Sequence, residues 1–160
     1  MEHVIRLATR DDIPQMIKLR ADLITYVRGK PVSDVDINAF RNFYEQVWNG
    51  RQPAYFVCEI TGRIAGQAAV SIFPGLPSAK NPKGMCGYVF DVSVLPSERQ
   101  KGIAHGLVRR ALEHCKLTGV GYVSLDATPM GEPIYRSFGF AEPKNTFLEL
   151  WKEGLDKLDF

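Results

Sequence analysis

Apolar residues recur at helical spacing in two stretches near the start of the chain. Between residues 13 and 27, and again between 36 and 48, apolar side chains fall three and four positions apart, which is typical of amphipathic helices. Thr9 and Asp12 have the spacing of a helix-capping box ahead of the first stretch. Gly29 ends the first predicted helix and Gly50 ends the second.

Short runs of β-branched and apolar residues surround these helices. A run at 4–8 predicts a first strand, and longer runs at 55–60 and 64–73 predict two more. Thr61-Gly62-Arg63 separates the last two, so we expect an antiparallel hairpin there. The proline-rich stretch 74–84 predicts a loop.

The second half of the chain alternates strands with helices. In order, the pattern predicts a strand at 87–95, a helix at 102–117, a strand at 121–127, a helix at 132–138 and a strand at 145–151. Together with the first half, this order predicts a mixed α/β sheet with helices on both faces. We expect a single domain over residues 1–160.

The composition narrows the range of partners. The chain is 45% apolar and 24% charged with a net charge of +2, so it resembles ordinary globular domains and carries no basic excess for a nucleic-acid partner. Its apolar runs fall short of the roughly 20 residues that span a bilayer. No leader-like pattern opens the sequence, so we expect a cytoplasmic protein without a membrane partner. Three scattered cysteines favour reduced, structural thiols.

The segment between the predicted strand 87–95 and the helix 102–117 is the most informative one. A helix N-terminus presents unpaired backbone N–H groups and the positive end of the helix dipole, both of which stabilise phosphate oxygens. Gly102 and Ala104 leave room for a close approach. The alternative is an ordinary turn whose glycine only relieves crowding, and spacing alone favours the two readings equally.

Two ordered motifs resemble those of the GNAT superfamily of acyl-CoA-dependent N-acyltransferases. After a strand that closes on Val94-Leu95-Pro96, residues 99–104 read Arg-Gln-Lys-Gly-Ile-Ala and match the family's Arg/Gln-x-x-Gly-x-Gly/Ala signature. About 30 residues further on, residues 135–140 match its Tyr-x-x-x-Gly-Phe motif. The order of predicted elements is similar to the family's along nearly the whole chain.

The resemblance implies a GNAT-type fold and acetyl-CoA as the acyl donor, with no metal. The expected sheet is central, twisted and mostly antiparallel, has six to seven strands splayed between strands 4 and 5, and carries about four helices on its two faces. In the family the turn holds the pyrophosphate and strand 4 pairs with the pantetheine arm. The cofactor-binding residues implied here are Val92, Ser93, Val94, Arg99, Gln100, Lys101, Gly102, Ile103, Ala104, His105 and Thr128; Thr128 stands where many relatives have asparagine.

Tyr135 matches the family tyrosine that protonates the departing CoA thiolate. Acylation of an amine releases a thiolate, which a positioned phenol can protonate. The alternative for Tyr135 is an aromatic ring packed between helix and sheet with its hydroxyl at the surface.

Asp91 is the candidate base or anchor for the amine. It interrupts an apolar strand, where an unpaired carboxylate is costly, and strand alternation predicts that it shares a face with Val89 and Ser93. Many relatives carry a catalytic Glu one position earlier, where this chain has Phe90. A structural role for Asp91 is therefore equally favoured, and Asp126 is a rival for the base.

The resulting hypothesis is an N-acetyltransferase that acts on a primary amine of a small molecule in a direct ternary complex. The alternatives are a protein or peptide N-acetyltransferase and an acyl-CoA-binding regulatory domain with impaired chemistry. By resemblance the acceptor site lies around residues 24–48 and 73–87. A homodimer through residues 147–151 is one expectation, and burial of that segment in the core is the other.

Overall fold

The computed structural model describes residues 3–50, 52–146 and 148–158. Its centre is a five-stranded sheet whose strands lie in sequence order. The strands are β1 (Val4–Leu7), β2 (Ala54–Ile60), β3 (Arg63–Pro74), β4 (Met85–Val94) and β5 (Tyr122–Ser124). β1 to β4 pair antiparallel, while β5 runs parallel to β4. The predicted mixed, mostly antiparallel α/β architecture is confirmed, but with five strands instead of six to seven.

A tight turn joins β2 to β3 as the sequence predicts. Thr61 has φ 48° and Gly62 has φ 78°, so both residues are left-handed. Two consecutive left-handed residues make a type I′ turn, whose twist matches that of the flanking strands. Ile60 pairs directly with Arg63 across it, and the predicted hairpin is confirmed.

Two helices cover one face of the sheet, α1 (Ile13–Arg28) and α2 (Asp34–Gly50). α2 begins two residues earlier than the apolar pattern predicts, because Ser33 and Asp36 cap its start. The Asp36 carboxylate accepts the Ser33 N–H at 2.9 Å, and the Ser33 hydroxyl accepts the Asp36 N–H at 3.2 Å. The core beneath the two helices contains Ile13, Met16, Ile17, Leu19, Tyr44, Val47, Tyr55, Val57, Ile64 and Ala69.

One helix, α3 (Ile103–Leu117), covers the opposite face. It buries the stripe Ile103, Leu107, Val108, Ala111 and Cys115. The contact with β3 is close at Gly66, where a Cβ atom would lie only 3.0 Å from Leu107 Cδ1 and 2.9 Å from the Ser93 carbonyl oxygen. A glycine at this position lets α3 pack directly on the middle of the sheet.

The three main helices are of similar length, with 16 residues in α1, 17 in α2 and 15 in α3. Each carries charged residues on the side that faces away from the sheet. In the ranges given above, no helix is long and apolar enough to cross a membrane.

The pairing of β4 with β3 shifts register in the second half of β4. Ala69 pairs with Phe90 and Gln67 pairs with Ser93, so Asp91 and Val92 together oppose a single residue of β3. Asp91 has φ 54°, a left-handed conformation that is uncommon outside glycine. The feature is a β-bulge, which bends a strand and re-aims its side chains.

This bulge overturns the predicted alternation of β4. The regular pattern placed Asp91 on the face of Val89, which packs in the core beneath α3. Instead, the Asp91 carboxylate accepts a hydrogen bond from Tyr44 of α2 on the opposite face, the face on which Phe90 also packs. The extra residue of the bulge moves Asp91 to the α1–α2 side.

β5 accompanies β4 for only three residue pairs, from Cys86 with Tyr122 to Tyr88 with Ser124. β4 continues to Val94 beyond this point, so the two strands separate as the resemblance implies. The strand predicted at 121–127 is correspondingly short, because residues after Ser124 have lost their partner on β4.

The C-terminal part differs most from the predictions. α4 (Glu132–Ser137) confirms the predicted short helix, and a further helix, α5 (Lys152–Leu155), follows it. The strand predicted at 145–151 is wrong for residues 145, 146 and 148–151, which form no strand, while Phe147 lies outside the described residues. Leu148 and Trp151 are 84% and 71% exposed, so their apolar side chains do not enter the core.

Leu107→Ala tests the packing of α3. Leu107 is fully buried, so truncation leaves a cavity and we expect a loss of about 2–5 kcal/mol in the free energy of unfolding, measured by urea denaturation. Leu117→Ala is the control, because Leu117 is exposed at the end of the same helix and its loss should stay within about 0.5 kcal/mol. Equal losses in the two variants contradict the placement of α3.

Candidate functional site

A cleft of about 470 Å³ opens where β4 leaves β5. Three walls enclose it: the second half of β4, the turn that begins α3, and one face of α1, with α4 closing one side. Its lining residues are Leu19, Asp22, Leu23, Tyr26, Val92, Ser93, Val94, Glu98, Arg99, Gln100, Gly102, Ile103, Ala104, His105, Thr128, Met130, Gly131, Ile134 and Tyr135. Of the eleven residues predicted to bind the cofactor, all but Lys101 line the cleft. Tyr135 lines it too, whereas Asp91 does not.

The turn before α3 holds an unusual backbone conformation. Gln100 has φ 61° and Gly102 has φ 79°, so two residues of the turn are left-handed. The Arg99 side chain ties the turn to the sheet, because its Nε donates to the Val94 carbonyl oxygen at 3.2 Å. Lys101 does not line the cleft, and its Nζ forms an ion pair with Glu98 at 2.9 Å.

The start of α3 presents three unpaired N–H groups to the cleft. Gly102 is the N-cap and supplies no side-chain hydrogen bond. The first amide to bond back is that of Gly106, which donates to the Gly102 carbonyl at 3.0 Å. The N–H groups of Ile103, Ala104 and His105 therefore have no partner within the described part of the chain. Unpaired N–H groups and the positive end of a helix dipole are the features that stabilise a bound anion.

The β4 wall is formed by Val92, Ser93 and Val94. The Ser93 hydroxyl oxygen is shielded from solvent and has no hydrogen-bond partner among the described residues. A buried hydroxyl without a partner is costly, and this one belongs to a residue of the cleft wall.

Tyr135 of α4 is one of two tyrosines among the residues that line the cleft, and Tyr26 of α1 is the other. Its ring is buried and packs edge-on against Phe140 with 6.2 Å between centroids. Its hydroxyl makes no hydrogen bond to any residue the structure describes. Burial raises the pKa of Tyr135, so the phenol stays protonated at neutral pH and is available as a donor.

Two neighbours fix the position of the Tyr135 ring. Gly131 lies against it, and a Cβ atom there would come within 3.0 Å of Tyr135 Cε2. The Thr128 hydroxyl accepts the Gly131 N–H at 3.2 Å and keeps its own proton for a ligand. The Tyr135 ring and Thr128 thus border the cleft side by side.

Asp91 is not part of the cleft wall. Its side chain is only 1% exposed, and its oxygens accept hydrogen bonds from Tyr44 at 2.7 Å and Tyr55 at 3.1 Å. Gln67 Nε2 donates at 2.9 Å and the Arg20 guanidinium at 3.1 Å. The structure therefore places Asp91 in a buried polar cluster beneath α1 and α2, where its oxygens are already engaged.

Asp126, the rival for the base, lies elsewhere. It follows β5, and its carboxylate accepts the Tyr88 hydroxyl at 2.6 Å. Burial and this carboxylate raise the pKa of Tyr88 to about 12. Both residues line a separate groove of about 950 Å³ along the free edge of β5, so Asp126 does not join Tyr135 in the cleft.

The wall formed by α1 was predicted only in part: Tyr26 lies in the range 24–48 expected for the acceptor, whereas Leu19, Asp22 and Leu23 lie before it. Leu19, Asp22, Leu23 and Tyr26 follow helical spacing, which the sequence pattern alone assigns to a core-facing stripe. Leu19 is indeed buried, whereas Asp22 and Tyr26 are exposed to the cleft. The one local signal was Asp22, a charged residue in the middle of that stripe. Of the two ranges expected to hold the acceptor site, 24–48 and 73–87, only Tyr26 lines this cleft.

Cysteines do not contribute to the cleft wall. Cys58, Cys86 and Cys115 are free thiols, and none of them lines the cleft. Burial raises the pKa of Cys58 and of Cys115, which keeps both thiols protonated. Among the described residues, no group of three or more His, Cys, Asp or Glu side chains is arranged to hold a metal ion.

Comparisons with known proteins agree on the kind of protein that carries this cleft. The model of the family described as "Acetyltransferase (GNAT) domain" matches residues 4–142. The glucosamine 6-phosphate N-acetyltransferase of Trypanosoma brucei brucei is 26% identical over 136 residues, which cover 85% of this chain and 87% of that protein.

Solved structures share the fold. A protein from Clostridium acetobutylicum described as a predicted acetyltransferase, solved with acetyl-CoA, has a TM-score of 0.82 and 23% identity, with 93% of this chain and 96% of that chain covered. The glucosamine-6-phosphate N-acetyltransferase of Arabidopsis thaliana has a TM-score of 0.72 and 22% identity, with 95% and 100% covered.

Gly102→Ala tests the anion site at the start of α3. No atom lies within 4 Å of the added methyl group, but the positive φ makes alanine strained there, by roughly 1–2 kcal/mol. Relaxation of the turn should move the free N–H groups, and we expect coenzyme A to bind about tenfold more weakly, or ~1.4 kcal/mol, by isothermal titration calorimetry.

Gly119→Ala is the matched control for this substitution. Gly119 lies at the opposite end of α3 with φ 77°, and an added Cβ there would meet Lys83 Nζ at 3.8 Å, an ordinary van der Waals contact. It should lose similar stability and keep its affinity for coenzyme A. Equal weakening in both variants contradicts a specific role for the turn.

Proposed function

The chain belongs to the GNAT acetyltransferase family, and from that premise we propose that it transfers the acetyl group of acetyl-CoA directly to the primary amine of a small molecule. The observation that carries the proposal is the shared cleft, in which the free N–H groups of α3 and the phenol of Tyr135 border one cavity. The first group suits the phosphates of a cofactor, and the second suits a leaving group that needs a proton.

The cofactor end of the cleft fits a pyrophosphate and an extended arm. The N–H groups of Ile103, Ala104 and His105 supply donors to phosphate oxygens, and the glycine at the N-cap keeps them accessible. Beyond Tyr88, where β4 no longer pairs with β5, the edge of β4 offers backbone groups to the pantetheine arm, which would pair with it like an added strand. Thr128, which borders the cleft beside Tyr135, adds a hydroxyl group.

The transfer itself needs one nucleophile and two proton movements. The neutral amine nitrogen forms a bond with the thioester carbonyl carbon, and the carbon–sulfur bond breaks. The nitrogen loses one proton, and the departing thiolate gains one. We assign the second proton to the Tyr135 hydroxyl, which burial keeps protonated. No cysteine lines the cleft to take up the acetyl group first, which favours direct transfer within a ternary complex.

The amine end is bordered by α1. Leu19, Leu23 and Tyr26 give this wall an apolar surface, and Asp22 adds a carboxylate. That carboxylate forms no ion pair or hydrogen bond with any of the described residues, so it can attract a protonated amine before the amine loses its proton. The curated relative from Trypanosoma brucei brucei is named for a small amino sugar phosphate, which is why we favour a small-molecule acceptor.

A homodimer remains a prediction.

A panel of acceptors tests this proposal. Purified protein is incubated with acetyl-CoA and, separately, with amino sugars, polyamines, other small primary amines and lysine-containing peptides, and free coenzyme A is measured with a thiol reagent. We expect turnover with at least one small amine. Turnover with peptides alone indicates a protein acetyltransferase, and binding of acetyl-CoA without turnover across the panel indicates a domain that has lost the chemistry; either result overturns the proposal.

Tyr135→Phe tests the proton donor. Loss of the hydroxyl should lower kcat about 10- to 100-fold, less than removal of an obligatory acid, because water can protonate part of the thiolate. The KM for acetyl-CoA should change little, since the ring and its packing against Phe140 remain.

Tyr122→Phe is the control for the loss of a phenol. Tyr122 is 56% exposed on β5 and does not line the cleft, so its kcat should match that of the unmodified protein. An unchanged kcat in Tyr135→Phe removes the assignment of Tyr135 as the acid.

A further inference from the structure

The polar cluster under α1 and α2 contains a buried carboxylate and its hydrogen-bond donors, although apolar side chains alone could fill this part of the core. Asp91 lies at its centre with both carboxylate oxygens engaged: Oδ1 accepts from Arg20, and Oδ2 accepts from Tyr44, Tyr55 and Gln67. A buried ionised carboxylate is costly unless it is paired and hydrogen-bonded. The protein meets this condition with residues from four separate elements, α1, α2, β2 and β3.

The surrounding donors are held in their donating form. Burial and the Asp91 charge raise the pKa of Tyr44 and of Tyr55. Burial acts to lower the pKa of Arg20, but the charge and hydrogen bond of Asp91 outweigh it and the pKa is raised. Four donors already occupy the Asp91 oxygens, and Asp91 does not line the cleft, so its carboxylate makes no contact with a substrate held there.

The position of the cluster links two walls of the cleft. On the sheet, Asp91 is the left-handed residue of the β4 bulge, and the next three residues, 92–94, form the β4 wall. On α1, Arg20 is flanked by Leu19 and Leu23, which line the α1 wall. The ion pair between Arg20 and Asp91 therefore connects α1, whose wall borders the amine end of the cleft, to β4, whose wall fits the cofactor arm.

We propose that Asp91 and Arg20 are positioning residues that fix the β4 bulge and hold the β4 wall and the α1 wall at the separation needed to bind the acyl donor. This inference rests on the proposed function and replaces the role of Asp91 as a base. The carboxylate acts through the backbone it anchors, because the strained conformation at Asp91 persists only while its surroundings over-determine it. When the ion pair is broken, the bulge can relax and residues 92–94 move out of register.

Two substitutions separate positioning from proton transfer. Asp91→Asn keeps the shape of the side chain and removes the charge, and Arg20→Gln removes the charge from the other partner. Arg20 is 31% exposed at its side chain, so its loss is the milder change and yields folded protein even if Asp91→Asn does not. We expect each variant to weaken the binding of coenzyme A about tenfold by isothermal titration calorimetry.

Kinetics on the amine found in the panel give the second readout. For both variants we expect the KM for acetyl-CoA to rise about tenfold, kcat to fall by less than tenfold, and the acid limb of the pH profile of kcat to keep its midpoint. The double variant should show no more weakening than the worse single variant, because both residues act through one ion pair.

A stability control excludes a general effect of destabilisation. Ile64→Ala removes buried apolar volume from β3 in the same core. Ile64 pairs with Glu59, which is not a residue of the cluster, so the substitution should lower the melting temperature while leaving the affinity for coenzyme A unchanged. All binding measurements are made well below the melting temperature of each variant.

The outcomes distinguish this inference from the proposed function. If the unmodified protein fails to bind coenzyme A, the proposed function fails. If the unmodified protein binds it and Arg20→Gln binds it equally well, the positioning role is wrong. A thousandfold loss of kcat in Asp91→Asn, with unchanged affinity and loss of the acid limb, restores Asp91 as the base and also overturns the positioning role.

Discussion

A register shift in β4, held by one buried carboxylate, is the constraint on which the rest of the structure depends. Two residues of β4, Asp91 and Val92, oppose a single residue of β3, so the strand bends in mid-sheet. β5 follows β4 only as far as Tyr88 and then ends. The sheet opens at that point, and the opening becomes the cleft.

The second requirement is a helix that begins at the mouth of this opening. The turn after β4 passes through two left-handed residues and starts α3 with its first three N–H groups unpaired. Core packing makes this arrangement rigid, because Leu107 and its neighbours bury α3 against β3. The anion site is therefore preorganised by hydrophobic contacts that lie on the far side of the helix from the ligand.

Local features of this fold are readable from the sequence, because short-range chemistry decides them. The hairpin at Thr61 and Gly62 follows from a glycine between two strand-like runs, because glycine adopts a positive φ at little cost. The turn at 99–104 follows from a glycine at a helix start next to a matching family motif. The position of Tyr135 at the cleft follows in the same way from a motif that spans six residues. Each prediction depends on contacts within a few positions along the chain.

Features that depend on distant contacts were not predictable in this way. The side of the sheet on which Asp91 lies depends on its partners Arg20, Tyr44, Tyr55 and Gln67, which are 24 to 71 positions away along the chain. The period-2 alternation of a strand contains no signal for a bulge. The α1 wall shows the same limit, since its spacing is that of an ordinary core stripe. The apolar pattern at 145–151 predicted a strand, but a strand also needs a partner edge, and its described residues have none.

The most direct test of the account is a crystal structure of the protein grown with saturating acetyl-CoA. We expect pyrophosphate oxygens within about 2.7–3.2 Å of the backbone nitrogens at the start of α3. We also expect the pantetheine arm along residues 92–94 and the thioester sulfur beside the Tyr135 hydroxyl. Acetyl-CoA bound elsewhere, for example in the groove along β5, or a turn with no ligand at saturation, would contradict it.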